Sequence, residues 1–151
     1  MKFCLEIWGT NYDKIKETCI FAERLGYDGF FYGESLTDID LDCWTVLSSL
    51  INITNKIKIG PVITYLFPEY RNITLLAKQA ITFQNLTKGR LEFRTGAGAT
   101  LQYSKQWWHP FGIEYLKAFE RVQLLDEGLQ VLSLLWNSKI PSVKFEGKYF
   151  K

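Results

Sequence analysis

An α/β architecture built on a parallel sheet is the fold class this sequence predicts. Three observations carry the prediction. Short apolar runs alternate with stretches of helical periodicity four times over, the intervals suit strand–helix units, and helix-start and helix-stop residues punctuate the series. No internal repeat of short period, low-complexity tract or linker breaks it.

The first apolar run is Phe3 to Ile7, and Asn11-Tyr12-Asp13 supplies helix-start chemistry after it. The helix that follows carries Ile15, Cys19, Ala22 and Leu25 on one face. It stops at Gly26, which tolerates the positive φ found just past a helix end. The second run, Phe30-Phe31-Tyr32, stops at Gly33, and Asp40-Leu41-Asp42 opens a helix with Trp44, Leu47 and Ile51 inward, broken by Asn55-Lys56. Ile57 to Thr64 is the third run. It leads through Phe67-Pro68 into a helix with Ile73, Leu76, Ala77, Ala80 and Phe83 on one side. Lys88-Gly89 closes that helix, and the fourth run, Leu91 to Thr95, ends in Gly96-Ala97-Gly98. Positions 99–117 read as a long loop rich in Trp, Tyr and Gly, followed by a helix with Leu125, Gly128, Leu129, Leu132 and Trp136 at helical spacing. The stretch from Val143 to Phe150 alternates like a β-hairpin turning at Glu146-Gly147.

Four parallel strands with right-handed crossovers follow from this order. A doubly wound sheet and a barrel both satisfy the pattern. The first βα turn lacks Gly-x-Gly-x-x-Gly, so a dinucleotide-binding sheet has no positive support. A complete (β/α)8 barrel typically needs about 250 residues, so these 151 residues correspond to roughly half of one, in a single domain.

Composition narrows the function classes. Apolar residues make up 47% and charged residues 23%, ordinary for a globular chain, and a net charge of +2 without any basic run argues against nucleic acid or an anionic membrane as partner. Glu6 interrupts the N-terminal apolar stretch too early for a signal peptide, and no apolar run approaches the ~20 residues of a bilayer span. Cys4, Cys19 and Cys43 lack metal-ligand spacing, and His109 is the sole histidine. The expectation is a reduced, cytoplasmic protein with no metal site and no Ser-His-Asp triad.

The most informative segment is Gly89-Arg90-Leu91-Glu92-Phe93-Arg94-Thr95-Gly96-Ala97-Gly98, a helix stop, a strand, and small residues where the strand emerges. It resembles the Gly-Arg-(x)4-Gly-x-Gly segment of the bacterial luciferase-like flavin-dependent monooxygenases. Ala22-Glu23-Arg24-Leu25-Gly26-Tyr27-Asp28-Gly29, Leu76-Ala77-Lys78-Gln79-Ala80, Phe119-Glu120-Arg121, Glu127-Gly128-Leu129, Leu135-Trp136 and Phe145-Glu146-Gly147-Lys148-Tyr149 resemble that family too, in order and spacing. The strength of the resemblance lies in the ordered set, which spans nearly the whole chain. It implies the N-terminal half of a TIM-type (β/α)8 barrel, with four parallel strands and outer helices. It also implies redox chemistry on a small organic substrate through reduced FMN or the deazaflavin coenzyme, by monooxygenation or hydride transfer. A homo-oligomer, or completion by a C-terminal half, goes with that reading. A non-catalytic flavin-binding relative and a truncated product are the rivals.

The resemblance also implies site residues. An acidic residue faces the flavin at the end of the second strand in this family, which assigns the catalytic role to Glu34, with Gly33 and Ser35 beside the cofactor. Barrel enzymes place their chemistry at such strand ends. Val62, Ile63 and Thr64 fall where relatives often have a bulge with a non-proline cis peptide behind the ring, expected here between Val62 and Ile63. Gly96, Ala97 and Gly98 complete the cofactor-binding set. Pro61, and Asn72-Ile73 where relatives often read His-Pro, depart from the pattern. Ala99 stands where several deazaflavin-using relatives carry Glu, which inclines the reading to FMN.

Glu92 and Arg94 sit two apart in a strand and so share a face, an unusual placement for charge, and pairing with neighbouring strands or the other half is expected. In Gln106-Trp107-Trp108-His109-Pro110-Phe111-Gly112, at least one Trp reads as packed under its own loop and His109 as solvated, against the alternative of rings covering a flavin or substrate.

Overall fold

The computed structural model describes residues 1–35, 41–138 and 142–151. Asp40, read as part of a helix start, lies outside them. The described residues group into two compact units, Met1–Thr64 with Thr82–Thr95, and Tyr65–Ile81 with Gly96–Lys151.

In the first unit, β1 (Cys4–Ile7), β2 (Gly29–Gly33) and β3 (Lys58–Val62) form a parallel sheet in sequential order. Helix α1 (Tyr12–Arg24) starts at Asn11, whose side chain accepts from the Lys14 N–H, and buries Ile15, Cys19 and Ala22. Leu25, expected inward, is the C-cap and is exposed, and Gly26 takes φ +83° just beyond it. Helix α2 (Cys43–Leu50) is capped by Asp42 and buries Trp44, Leu47 and Leu50. Phe30 and Tyr32 are fully buried on β2.

Among the described residues the expected four strands are corrected to three. The segment Leu91–Thr95 runs parallel to β3 but touches it through two isolated bridges, Ile59↔Leu91 and Thr64↔Thr95. Ile59 both donates to the Arg90 carbonyl and accepts from the Glu92 N–H. In a parallel ladder the next residue of β3 turned toward that neighbour is Pro61, which has no N–H to give. The pairing then advances by one extra residue on the β3 side before Thr64 N–H reaches the Arg94 carbonyl at 2.9 Å, a bulge that breaks the ladder. Gly60 belongs to the same irregularity, because a Cβ there would run into the Glu92 carbonyl oxygen.

Glu92 and Arg94 do share a face, but they pair with each other. Arg94 Nε and Nη2 reach Glu92 Oε1 at 2.9 and 2.5 Å, and the guanidinium lies 3.4 Å above the Phe31 ring. Both side chains are half-exposed, while Phe31 beneath them is fully buried. An aromatic residue on an inward face is thus covered by the stem and plane of an arginine.

Helix α3 (Ile73–Leu86) buries Leu76, Ala77, Ala80 and Phe83, as its periodicity predicts, and leaves Ile73 half-buried. In the second unit the expected long loop contains helix α4 (Leu101–Trp107) and a 3-10 turn over His109–Phe111. Helix α5 (Ala118–Asn137) buries Leu124, Gly128, Val131 and Leu132. Gly128 and Leu132 are inward as expected, but Leu125 is half-buried, Leu129 is exposed, and Trp136, also exposed, donates its indole N–H to the Ala77 carbonyl. The expected hairpin over Val143–Phe150 does not form. Glu127 of α5 takes the N–H groups of Lys148 and Tyr149 that a hairpin would need.

Candidate active site

Glu34 follows β2 directly and is buried at 2% exposure, not a solvated loop carboxylate. Its backbone N–H extends the pairing with β3 by donating to the Val62 carbonyl at 3.3 Å. Its Oε2 accepts a hydrogen bond of 2.8 Å from the Thr64 hydroxyl, and the same hydroxyl accepts one of 3.0 Å from the Trp44 indole N–H. All three residues are buried. The indole is held edge-on by Phe83 at 6.0 Å and tilted against Phe93 at 6.2 Å. Thr64 is fixed through its backbone as well, its N–H bonded to Arg94 and its carbonyl accepting from the Thr95 hydroxyl at 2.7 Å.

Between these groups the Val62–Ile63 peptide is cis, where the sequence placed it. The described hydrogen bonds leave the N–H and C=O of Ile63 outside the ladder. The strand ends of β2 and β3 thus bring together Gly33, Glu34, Val62, Ile63 and Thr64, with Ser35 half-buried next in the chain. A side chain at Gly33 would overlap the ring of Trp8, the residue after β1, so packing within the unit already favours glycine there.

Gly96, Ala97 and Gly98 belong to the second unit. Arg121 donates to the carbonyls of Ala97 and Ala99 at 3.2 and 2.7 Å. Gly98 adopts φ +87°, and a Cβ on it would strike the Trp108 ring and lie 3.1 Å from Phe67. Trp108, 1% exposed, forms a cluster with Tyr65 and Phe67. His109 is exposed. Gly98 is therefore required by its own unit, by sterics and backbone conformation, before any ligand is considered.

The other motif residues hold loops. Glu23 Oε1 accepts the N–H groups of Asn55, Lys56 and Ile57 at 2.8, 2.7 and 3.0 Å. Arg90 donates to the carbonyls of Ile51, Thr54, Ile57 and Thr87 and to the Thr54 hydroxyl. Burial raises the Glu23 pKa, but the three N–H groups and then Arg90 outweigh it, so the net shift is downward. Burial, reinforced by Glu23 and opposed by Arg90, pushes the Cys19 thiol up to about 12, which makes it a packing residue and no nucleophile. Among the described residues no group of three or more His, Cys, Asp and Glu could hold a metal, and no helix is long and apolar enough to cross a membrane.

Trp44 is the residue sequence reasoning took only for core. A buried indole N–H needs an acceptor, and that requirement was the available signal.

The family model described as Luciferase-like monooxygenase matches residues 7–151. The chain belongs to that family. Among its relatives, the phthiodiolone/phenolphthiodiolone dimycocerosates ketoreductase of Mycobacterium tuberculosis is 28% identical over 114 residues, which cover 75% of this chain and 27% of the relative. Its counterpart in Mycobacterium kansasii is also 28% identical over 114 residues, covering 75% and 28%. Among solved structures, an F420-dependent secondary alcohol dehydrogenase in complex with an F420-acetone adduct superposes with a TM-score of 0.82 at 23% identity, over 99% of this chain and 46% of that one. The oxygenating constituent of 3,6-diketocamphane monooxygenase from Pseudomonas putida, in complex with FMN, gives 0.79 at 20% identity, over 99% and 42%. The F420-dependent tetrahydromethanopterin reductase of Methanopyrus kandleri gives 0.81 at 23%, over 99% and 44%. The luciferase-like chain thus shares the fold of these barrels. It spans about a quarter of the length of the ketoreductases and less than half of each of these structures.

Proposed function

We propose that this chain carries the N-terminal part of the cofactor site of a flavin-dependent oxidoreductase that acts on a small organic substrate, with FMN as cofactor and monooxygenation as reaction. The observation that carries the reading is the buried Trp44–Thr64–Glu34 chain at the C-terminal ends of β2 and β3. Barrel enzymes place their chemistry at that end of the strands. A flavin ring presents both hydrogen-bond donors and acceptors on its edge, and this cluster offers both: the Glu34 carboxyl and the Ile63 peptide groups outside the ladder. Gly33, Ser35, Val62, Ile63, Thr64, Gly96, Ala97 and Gly98 are the proposed cofactor-binding residues, and Glu34 the proposed acid or base. Bound flavin supplies the electron chemistry, while the protein orients the ring and excludes water.

The second reading is hydride transfer with the deazaflavin coenzyme, consistent with two of the similar structures being F420-dependent enzymes. Titrating the protein with FMN and with the deazaflavin, each followed by its visible absorbance, separates the two. Tight binding of FMN with substrate oxygenation supports the first; binding of the deazaflavin alone replaces it with the second. If neither cofactor binds even when a C-terminal half is supplied in trans, the flavin reading is wrong.

A further inference from the structure

Among the described residues, Arg121, near the start of α5, gives its hydrogen bonds to one short segment. Its Nη1 donates to the Ala97 carbonyl at 3.2 Å and to the Ala99 carbonyl at 2.7 Å, the guanidinium lies 4.9 Å from the centre of the Tyr115 ring, and Nε is buried without a partner among those residues. A peptide group is planar, and in the trans form its N–H points away from its own carbonyl. The cis bond among the described residues is Val62–Ile63, so the Ala97–Gly98 and Ala99–Thr100 peptides are trans. With both carbonyls turned to Arg121, the N–H groups of Gly98 and Thr100 point away from it, and among the described residues neither has a hydrogen-bond partner. A carbonyl that accepts from a guanidinium is polarised, which makes the N–H of the same peptide a stronger donor. The Trp108 ring packs against Gly98 closely enough to exclude a Cβ, so packing holds the segment as well as the two bonds.

We propose that Arg121 is a positioning residue for the cofactor, holding the Gly96–Gly98 segment so that the Gly98 and Thr100 N–H groups face hydrogen-bond acceptors of the bound flavin. The proposal rests on the flavin reading and adds to it the residue that sets the donors of this segment. Arg121 acts through the two peptides and not on the flavin itself. Both bonds come from a single nitrogen, so an ammonium, with three hydrogens, can serve the same two carbonyls.

Ala97-Gly98 is the one Ala-Gly pair in the chain, and Ala99-Thr100 the one Ala-Thr pair. Labelling the alanine carbonyl carbon with 13C, and glycine or threonine with 15N, therefore isolates each peptide of the full chain as one signal. Arg121→Met, which keeps the stem and removes every donor, is expected to shift both carbonyl signals, and Arg121→Lys to leave them near their wild-type positions. FMN titrations by visible absorbance are run where circular dichroism shows each variant folded. Arg121→Met is expected to bind about tenfold more weakly, what one to two hydrogen bonds contribute to an affinity, and Arg121→Lys to bind as wild type does. FMN should also move the Gly98 and Thr100 N–H signals of wild type, and binding that leaves both in place overturns the proposal. Carbonyl signals unmoved in Arg121→Met overturn it too, as does an unaltered affinity while they move, the result of a merely structural role. Arg121→Lys that keeps the carbonyl signals and loses affinity is equally contrary, since the guanidinium would then touch the flavin. If Arg121→Met does not fold, Arg121→Lys decides: its carbonyl signals and its affinity must be kept or lost together. A wild-type chain that takes no FMN removes the flavin reading instead, and the carbonyl signals, read without FMN, still decide whether Arg121 sets the segment.

Discussion

Replacing Arg90 by alanine removes a side chain that ties several segments of the first unit together. Its guanidinium makes five hydrogen bonds, to Thr87 O at 3.0 Å, Thr54 Oγ1 at 2.9 Å, Ile57 O at 3.2 Å, Ile51 O at 3.0 Å and Thr54 O at 3.2 Å. Four of the five go to the stretch between α2 and β3, which positions the strand that ends at the candidate site. A typical intramolecular hydrogen bond contributes about 1 kcal/mol net, so five together amount to ~5 kcal/mol. Arg90 is only half-buried, so water replaces part of what is lost, and about 2–4 kcal/mol is the expected cost. At roughly 2–4 °C per kcal/mol for a chain of this size, the melting temperature should fall by about 5–15 °C. Arg90→Lys should recover little, because a single ammonium cannot reach acceptors spread over a planar fork. Urea denaturation and thermal melting by circular dichroism measure both variants. A loss below about 1 kcal/mol for alanine, or full recovery by lysine, would refute the view that Arg90 holds this loop.

Glu23 accepts three N–H groups from the same loop and has a lowered pKa, so it stabilises the fold above the usual carboxylate range. That contribution is lost as pH falls through the lowered value; the urea midpoint of Glu23→Gln should therefore converge on wild type in acid and fall below it at neutral pH, and parallel curves would count against it. Gly98→Val should cost more than about 2 kcal/mol, because it combines a strained φ with overlap on Trp108. Its effect on any bound flavin then comes through lost stability, and an unaltered melting temperature would return Gly98 to a purely ligand-facing role. Residues 1–151 expressed alone should self-associate. β1 is a sheet edge, and Trp8, Phe119 and Val122 are 49%, 71% and 56% exposed, so a stable monomer by sedimentation would be the contrary result. Of the inward residues of an incomplete barrel that could add to this surface, Phe31 and Ile59 are fully buried and contribute nothing, while Phe93 is half-buried.

What the sequence determined by itself is local or cumulative. The faces of α1 and α3, the caps at Asn11 and Asp42, the turn at Gly26 and the sequential parallel order of β1 to β3 all follow from periodicity and end chemistry. An ordered set of short motifs was enough to mark the family, and the strand end carrying Glu34 was legible from it. The tertiary structure decided the rest. Whether the fourth run is a strand depended on one missing N–H at Pro61 and one extra residue in β3, which the pattern of apolar residues does not register. Glu23, Arg90, Arg121 and Glu127 stood in the motifs, but their work is to satisfy backbone groups of loops far along the chain. Trp44, Thr64 and Glu34 are separated by 20 and 30 residues, and they became one chain of hydrogen bonds only when α2 and the ends of β2 and β3 came together. Periodicity records which side of an element is apolar. It carries no record of which donor meets which acceptor across the fold, because hydrogen bonds depend on distance and angle in the folded state.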